Sequence, residues 1–283
     1  MIKLGLVGRS IAQSSSPNLH THLGELYGYE LDYQLHEPAD GSPAALEATL
    51  KQLIDAGYRG CNVTYPFKQA ALKLADEVKP SAALVGSTNT LLLGNSSIAA
   101  NTDYTGFIRG YRARLGDSPA GKVLLLGAGG VGRAIAFGLF EVGATELFIS
   151  DLDQHSAQSL CDAMNAKGFK ANAVDKEELH SIAGAVNGLV NCTPVGHYKS
   201  PGTPLAKALF SGQQWAFDAV YTPLDTEFLI EAHRQGMKIM SGFDLFIYQG
   251  IEAFEIFVDT QVDANKALIS FQKKYALQSE LFG

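Results

Sequence analysis

Four short polar clusters and one glycine turn hold the residue types with which this chain could do chemistry. The clusters are Ser14-Ser15-Ser16-Pro17, Asn62-Val63-Thr64-Tyr65-Pro66-Phe67-Lys68, Ser87-Thr88-Asn89-Thr90 and Asn101-Thr102-Asp103. Together they offer hydroxyls, amides, one ammonium and one carboxylate. Ser and Lys donate to a carboxylate or hydroxyl, while Asn can donate and accept, so the set suits a small polyhydroxylated acid. The glycine turn is Gly127-Ala128-Gly129-Gly130-Val131-Gly132, entered from the apolar run Val123 to Leu126 and left through an Ala-containing stretch of helical periodicity. In such a turn Gly127 allows the tight bend, Gly129 lets the backbone approach a pyrophosphate, and Gly132 lets helix and strand pack closely. The N–H groups of the following helix then face the phosphates. Asp151 stands about 20 residues beyond the glycines, at the end of the next apolar run, where a carboxylate accepts from ribose hydroxyls.

The elements that must position these groups follow from hydrophobic periodicity. Strands are predicted at Ile2 to Val7, Leu31 to Leu35 and Gly60 to Thr64, with a hairpin from Thr90 to Ala99 turning at Gly94-Asn95. Helices are predicted from Pro17 with Ser16 as its N-cap, over Ala44 to Ala56, Phe67 to Ala75, Ser81 to Val85 and Tyr104 to Leu115. Asp103 is a local candidate for the cap of the last of these. Strand and helix then alternate from Val123 to Met240, as in a doubly wound parallel sheet. Two helical stretches, Asp244 to Thr260 and Asp263 to Tyr275, have no following strand and are expected to return to the first domain. The predicted class is therefore α/β in two domains. Residues 1–103 with 244–283 form the substrate domain and residues 104–243 a Rossmann domain, and the two sets of functional residues are expected to face each other across a cleft.

The composition narrows the partners. The 283 residues carry a formal net charge of −7 and show no basic patch, which argues against nucleic acid or a membrane surface. No apolar run approaches a membrane span and the start lacks a signal-peptide layout, so a cytoplasmic protein is expected. Cys61, Cys161 and Cys192 form no C-x-x-C and the seven His no H-E-x-x-H, so reduced thiols and no metal are expected. Cys192 and His197 are read as structural.

With these motifs assembled, the chain resembles the shikimate/quinate dehydrogenase family from end to end. The resemblance rests on the S-x-S-P of Ser14 to Pro17, the N-V-T-x-P-F-K of Asn62 to Lys68, Asn89-Thr90, Asn101-Thr102-Asp103 and the G-A-G-G of Gly127 to Gly130. Asn191-x-Thr193, Asp218-x-x-Tyr221-x-Pro223 and Gln249 complete it. It implies hydride transfer between a nicotinamide and a ring hydroxyl of shikimate or a close relative, giving the 3-dehydro ketone. Lys68 and Asp103 would be the catalytic pair, with Lys68 transferring the proton and Asp103 orienting it. Ser14 and Ser16, with Tyr221 nearby, would bind the substrate carboxylate, and Asn62, Thr64, Asn89 and Gln249 its hydroxyls. Gly127, Gly129, Gly130, Val131, Gly132, Asp151, Thr193, Val220 and Gly242 would line the cofactor.

Three positions depart from the usual pattern. Members that use the phosphorylated cofactor carry an Arg-containing turn after the second Rossmann strand, whereas this chain has Ser150-Asp151-Leu152-Asp153. A carboxylate there repels a 2′-phosphate, so NAD is expected in preference to NADP. Leu245-Phe246 replaces a Met-Leu pair and Ala100 a Gly, while the NAD preference and the Tyr65-Pro66-Phe67-Lys68-Gln69 context resemble the quinate/shikimate branch, so quinate, as an additional or better substrate, or an amino-substituted analogue is open. Two other readings are a nucleotide-binding regulatory protein without turnover, and a folate-type or amino-acid dehydrogenase of similar build. The proton-transfer pair argues against the first and the paired serines against the second. A monomer or homodimer acting on small molecules alone is expected.

Overall fold

The computed structural model describes residues 1–276 and 278–282. The chain divides into two compact units, Met1–Gly106 with Ile247–Leu277, and Phe107–Phe246 with the chain from Gln278.

Unit 1 begins with β1 (Ile2–Val7), α1 (Ser16–Tyr27), β2 (Leu31–His36), α2 (Pro43–Asp55), β3 (Gly60–Val63) and α3 (Lys68–Lys73). It continues through β4 (Glu77–Val78), α4 (Pro80–Val85), β5 (Thr90–Leu92), β6 (Ile98–Ala100) and the start of α5 (Thr102–Leu115). Its six strands lie in the order β2-β1-β3-β5-β6-β4. β1 pairs in parallel with β2 and β3, while β5 runs antiparallel to β3 and β6. One face packs Leu4, Leu6 and Tyr33 against Ala253 and Phe257, and the other packs Val7, Cys61 and Val63 against Leu46, Leu50 and Leu53 of α2. Each strand thus alternates between two cores, which sets its register firmly.

Unit 2 contains β7 (Gly121–Leu126), α6 (Gly130–Glu141), β8 (Ala144–Ser150), α7 (Gln154–Asn165), β9 (Ala171–Ala173), α8 (Leu179–Ala183) and β10 (Gly188–Asn191). β11 (Trp215–Asp218), α9 (Glu227–Arg234) and β12 (Lys238–Ser241) complete its sheet, before α10 (Gly242–Val258) and α11 (Ala264–Lys274). All six strands are parallel in the order β12-β11-β10-β7-β8-β9. Read from the other edge this is the doubly wound order in which the sheet reverses direction between its first and fourth strands, here β7 and β10. Ligands bind at the carboxyl ends of strands flanking such a reversal.

Three local expectations are corrected. Ser16 is the first helical residue of α1, so the N-cap is Ser15, whose side chain makes no capping bond, and Ser14 Oγ accepts from the Ser16 N–H at 3.2 Å. Asp103 is not the cap of α5: Asn101 Oδ1 accepts from the Tyr104 N–H at 3.0 Å and takes that role, leaving the Asp103 carboxylate for another partner. The last segment does not return with α11 to the first unit. Asp225 accepts from the Ser279 hydroxyl and the Glu280 N–H, and Phe282 packs against the unit 2 core and beneath the Arg114 guanidinium.

Candidate active site

In unit 1 the polar clusters gather at the ends of β1, β3 and β6. Lys68 opens α3 directly after Phe67, which is fully buried in the core, so the ammonium leaves from an anchored position. Its Nζ donates to Asp103 Oδ2 at 2.5 Å, with the two side chains only 14% and 10% exposed. Asp103 lies in the first turn of α5, where the helix dipole favours a carboxylate. An ammonium and a carboxylate in direct contact, shielded from water yet not sealed, form a unit that can give and take one proton.

The amides around this pair have fixed donor and acceptor roles. Asn89 Oδ1 accepts from the Thr102 N–H at 2.7 Å and from the Thr90 hydroxyl at 3.1 Å, while its Nδ2 donates to Thr102 Oγ1 at 2.9 Å. One Nδ2 hydrogen remains, so Asn89 is left as a donor. Asn101 is held by donation to the backbone carbonyl and hydroxyl of Ser87. Thr64 follows β3 beside Gly8, where a Cβ would come within 2.2 Å of its methyl. Gly106 similarly lets α10 cross α5: a Cβ there would lie 2.5 Å from the Gln249 backbone nitrogen, which sets Gln249 one turn along from Asp103. Ser14 and Ser16 share a hydroxyl–hydroxyl bond of 3.2 Å. The fold therefore brings together within unit 1 Lys68, Asp103, Asn89 and Thr102, and fixes Ser14 with Ser16 and Gln249 with Gly106. Tyr221 belongs to unit 2, where its ring stacks on Phe246 at 5.1 Å. Ala100 is buried within β6.

In unit 2 the glycine turn lies between β7 and α6. Gly127 has φ +98°, and a Cβ there would meet the Cys192 backbone at 2.7 Å, so the turn needs glycine. Gly129 precedes α6 with no side-chain cap, and a Cβ on it would meet nothing within 4 Å. That opening lies at a helix N-terminus whose first-turn N–H groups lack intrahelical partners, a geometry that can accommodate a pyrophosphate. Asp151 reaches back over the turn: its Oδ2 accepts from the Ala128 N–H at 2.7 Å and its Oδ1 from the Asp153 N–H at 2.9 Å. Each oxygen keeps a lone pair for a ribose hydroxyl. These residues fit a dinucleotide.

Residues of the Asn191-x-Thr193 and Asp218-x-x-Tyr221 motifs form a buried network, not evident from their spacing, that holds the neighbouring loops. Asp218, fully buried at the end of β11, accepts from Asn191 Nδ2 and the Val220 N–H, both at 2.9 Å, and from the Thr226 hydroxyl at 2.6 Å. Asn191 in turn accepts from the N–H and hydroxyl of Thr193 and donates to the Val195 carbonyl. One carboxylate thus ties the loop after β10, the loop after β11 and the cap of α9. Thr193 and Val220 are held by it, while Gly242 starts α10, where a Cβ would lie 2.2 Å from the Ala219 carbonyl oxygen. Burial pushes the Asp218 carboxyl up to about 7 against the three hydrogen bonds that favour its ionised form. A group raised from 3.8 on folding adds stability that is complete below 3.8 and lost as pH rises through about 7. The displacement corresponds to about 4 kcal/mol. Asp218→Asn, which cannot ionise, is therefore expected to gain stability relative to the parent by up to that amount between pH 4 and pH 8. Paired denaturant titrations at the two pH values check this, and an unchanged difference would contradict it.

Among the described residues, no group of three or more His, Cys, Asp or Glu side chains is placed to hold a metal ion. Cys61 and Cys161 are buried thiols pushed up by desolvation to about 12 and about 11. His197 Nδ1 accepts from the Lys199 N–H within its own loop. No helix among the described residues is long and apolar enough to cross a membrane.

A doubly wound unit with a glycine turn, joined to an α/β unit in which a Lys–Asp ion pair lies among amides and hydroxyls, is the build of a two-domain nicotinamide-dependent dehydrogenase. Comparison with known proteins makes the class specific. Residues 6–91 match the family described as shikimate dehydrogenase substrate binding domain. The chain is 35% identical to a quinate/shikimate dehydrogenase (NAD(+)) of Corynebacterium efficiens over 95% of its length and 97% of that protein's. It is 33% identical to a shikimate dehydrogenase (NADP(+)) of an Arthrobacter species, over 97% and 96%. Among solved structures, quinate dehydrogenase from Corynebacterium glutamicum in complex with NAD superposes with a TM-score of 0.89 at 33% identity, covering 96% of this chain and 99% of that one. The chain belongs to the shikimate/quinate dehydrogenase family, and its fold is that of an N-terminal substrate domain with a Rossmann NAD(P) domain.

Proposed function

We propose that this protein oxidises the ring hydroxyl of shikimate, and of quinate as a second substrate, to the 3-dehydro ketone with NAD as the preferred acceptor, and catalyses the reverse. The 2.5 Å contact between Lys68 and Asp103 is the observation that carries the reading. In oxidation the carbinol carbon loses a hydride and its hydroxyl loses a proton; the nicotinamide, when bound, accepts the hydride. Lys68 in its neutral form takes the proton, and Asp103 fixes the amine and accepts from a ring hydroxyl. In reduction the ammonium returns the proton to the carbonyl oxygen. Asn89 donates to a ring oxygen, Asn62, Thr64 and Gln249 hold the other hydroxyls, and Ser14 and Ser16 bind the carboxylate.

The NAD preference rests on Asp151 and on the absence of any cation within Ser150–Asp153. Quinate is favoured as a second substrate by the likeness to relatives whose names join quinate, shikimate and NAD(+). A regulatory role without turnover leaves the proton pair unused. The cytoplasm, where reduced thiols persist, is the matching location, and the protein acts as a monomer or homodimer on small molecules alone. Measuring kcat/KM for shikimate, quinate and an amino-substituted analogue with NAD and NADP tests the reading. Turnover of shikimate or quinate with NAD favoured is expected; equal use of the two cofactors would remove the NAD assignment.

A further inference from the structure

The loop that joins β1 to α1 and carries the chain to Ser14 and Ser16 is tied to the end of β2 by a carboxylate that the proposed chemistry does not use. Glu37 follows β2 directly. Its Oε2 accepts from the Ser10 N–H at 3.3 Å and its Oε1 from the Ile11 N–H at 3.2 Å. Ser10 has φ +57°, in the left-handed region that residues other than glycine enter only at a cost. Successive N–H groups about such a residue make a concavity for an anion, and here the chain supplies the anion itself. Arg9 ties the same two segments together, its Nη1 donating to the Pro38 and Ala39 carbonyls at 3.3 and 3.1 Å.

The placement of the serines depends on this turn. Ile11 sends its side chain into the core beside Leu4, Leu6 and Tyr33, and its carbonyl accepts from the Ser14 N–H at 2.9 Å. Ser14 Oγ then donates to Ser16 Oγ and accepts from the Ser16 N–H, each at 3.2 Å. At the far end the buried Tyr33 hydroxyl, which donates to Asn62 Oδ1 at 2.8 Å, also bonds the Ser16 side chain. A continuous series of hydrogen bonds thus runs from Glu37 to both serines. We propose that Glu37 is a positioning residue for the substrate carboxylate: its two bonds hold Ser10 in the left-handed conformation, and that turn sets where Ser14 and Ser16 stand. This inference rests on the proposed reading of the two serines as the carboxylate's ligands.

Glu37→Ala removes the acceptor and lets Ser10 relax. In the full-length enzyme the KM for shikimate is expected to rise about five- to tenfold, the effect of losing hydrogen bonds to a charged group at an exposed position. The expected kcat stays within about twofold and the NAD KM is unchanged. Inhibition by the cyclohexene triol that lacks the carboxylate should be equally strong in parent and variant. Adding Ser10→Gly, which enters the left-handed region without strain, is expected to recover most of the loss. A merely structural role would produce neither that selectivity nor that rescue. An unchanged shikimate KM in Glu37→Ala, an equal loss for the triol, or no recovery on adding Ser10→Gly would overturn the proposal while leaving the assigned activity in place. Absence of turnover by the unaltered enzyme would overturn the functional reading and this inference with it.

Discussion

Replacing Lys68 by Ala is expected to lower kcat by on the order of a hundredfold or more while leaving the fold and cofactor affinity in place. The backbone at this position does not depend on the ammonium. Phe67 is fully buried in the unit 1 core, and the Lys68 carbonyl accepts from the Thr88 N–H at 2.9 Å. The Asp103 carboxylate left behind still lies in the first turn of α5, where the helix dipole favours it. In the proposed mechanism what disappears is the group that exchanges the hydroxyl proton, and the remaining carboxylate cannot both carry that proton and orient its carrier. The cofactor residues belong to unit 2 and Lys68 with Asp103 to unit 1, so dinucleotide affinity should hold. Steady-state kinetics and cofactor titration of the variant separate the two effects. An unchanged kcat would remove Lys68 from the mechanism.

The second large effect is on cofactor choice. Asp151→Ala is expected to shrink the ratio of kcat/KM for NAD over NADP by about tenfold to a hundredfold, the size of one or two hydrogen bonds to a charged group. Both Asp151 oxygens are already oriented by backbone N–H groups of Ala128 and Asp153, so the carboxylate is pre-arranged for the ribose diol. Asp153 is occupied as the cap of α7, accepting from the His155 N–H and the Ser156 hydroxyl, and Leu152 is fully exposed. A 2′-phosphate entering this turn meets carboxylates and no cation of the turn itself. Activity with NAD falls in the variant because the Ala128 contact is also lost, and the ratio therefore carries the test. An undiminished ratio would assign the preference elsewhere.

The sequence shows different parts of this molecule with different clarity. The glycine turn and Asp151 were legible because their roles depend on local backbone geometry and short spacing. The alternation of strand and helix from Val123 onward was legible because apolar runs of four to six residues need a core on both faces. The ends of elements were less so: Asn101 and Asp103 are both good caps by type, and only the bond from Tyr104 decides between them. β4, two residues long, lacks enough length for any period to register. Asp218 and Tyr33 were missed as buried supports because their partners lie 27 and 29 residues away. Nothing in an alternating strand such as Leu31–His36 marks one tyrosine hydroxyl as directed at the Asn62 amide. The attachment of Phe282 to the second unit is likewise a tertiary contact at the end of a helical pattern that points elsewhere.

In the proposed reaction hydride passes directly from the ring carbon to the nicotinamide, with the hydroxyl proton leaving separately through Lys68 and Asp103. Shikimate carrying deuterium on the carbon that becomes the ketone, incubated with the protein and NAD in ordinary water, tests it in one measurement by mass spectrometry of the reduced cofactor. One deuterium is expected in every reduced nicotinamide. Reduced cofactor without the label, or no reduced cofactor at all, would contradict it.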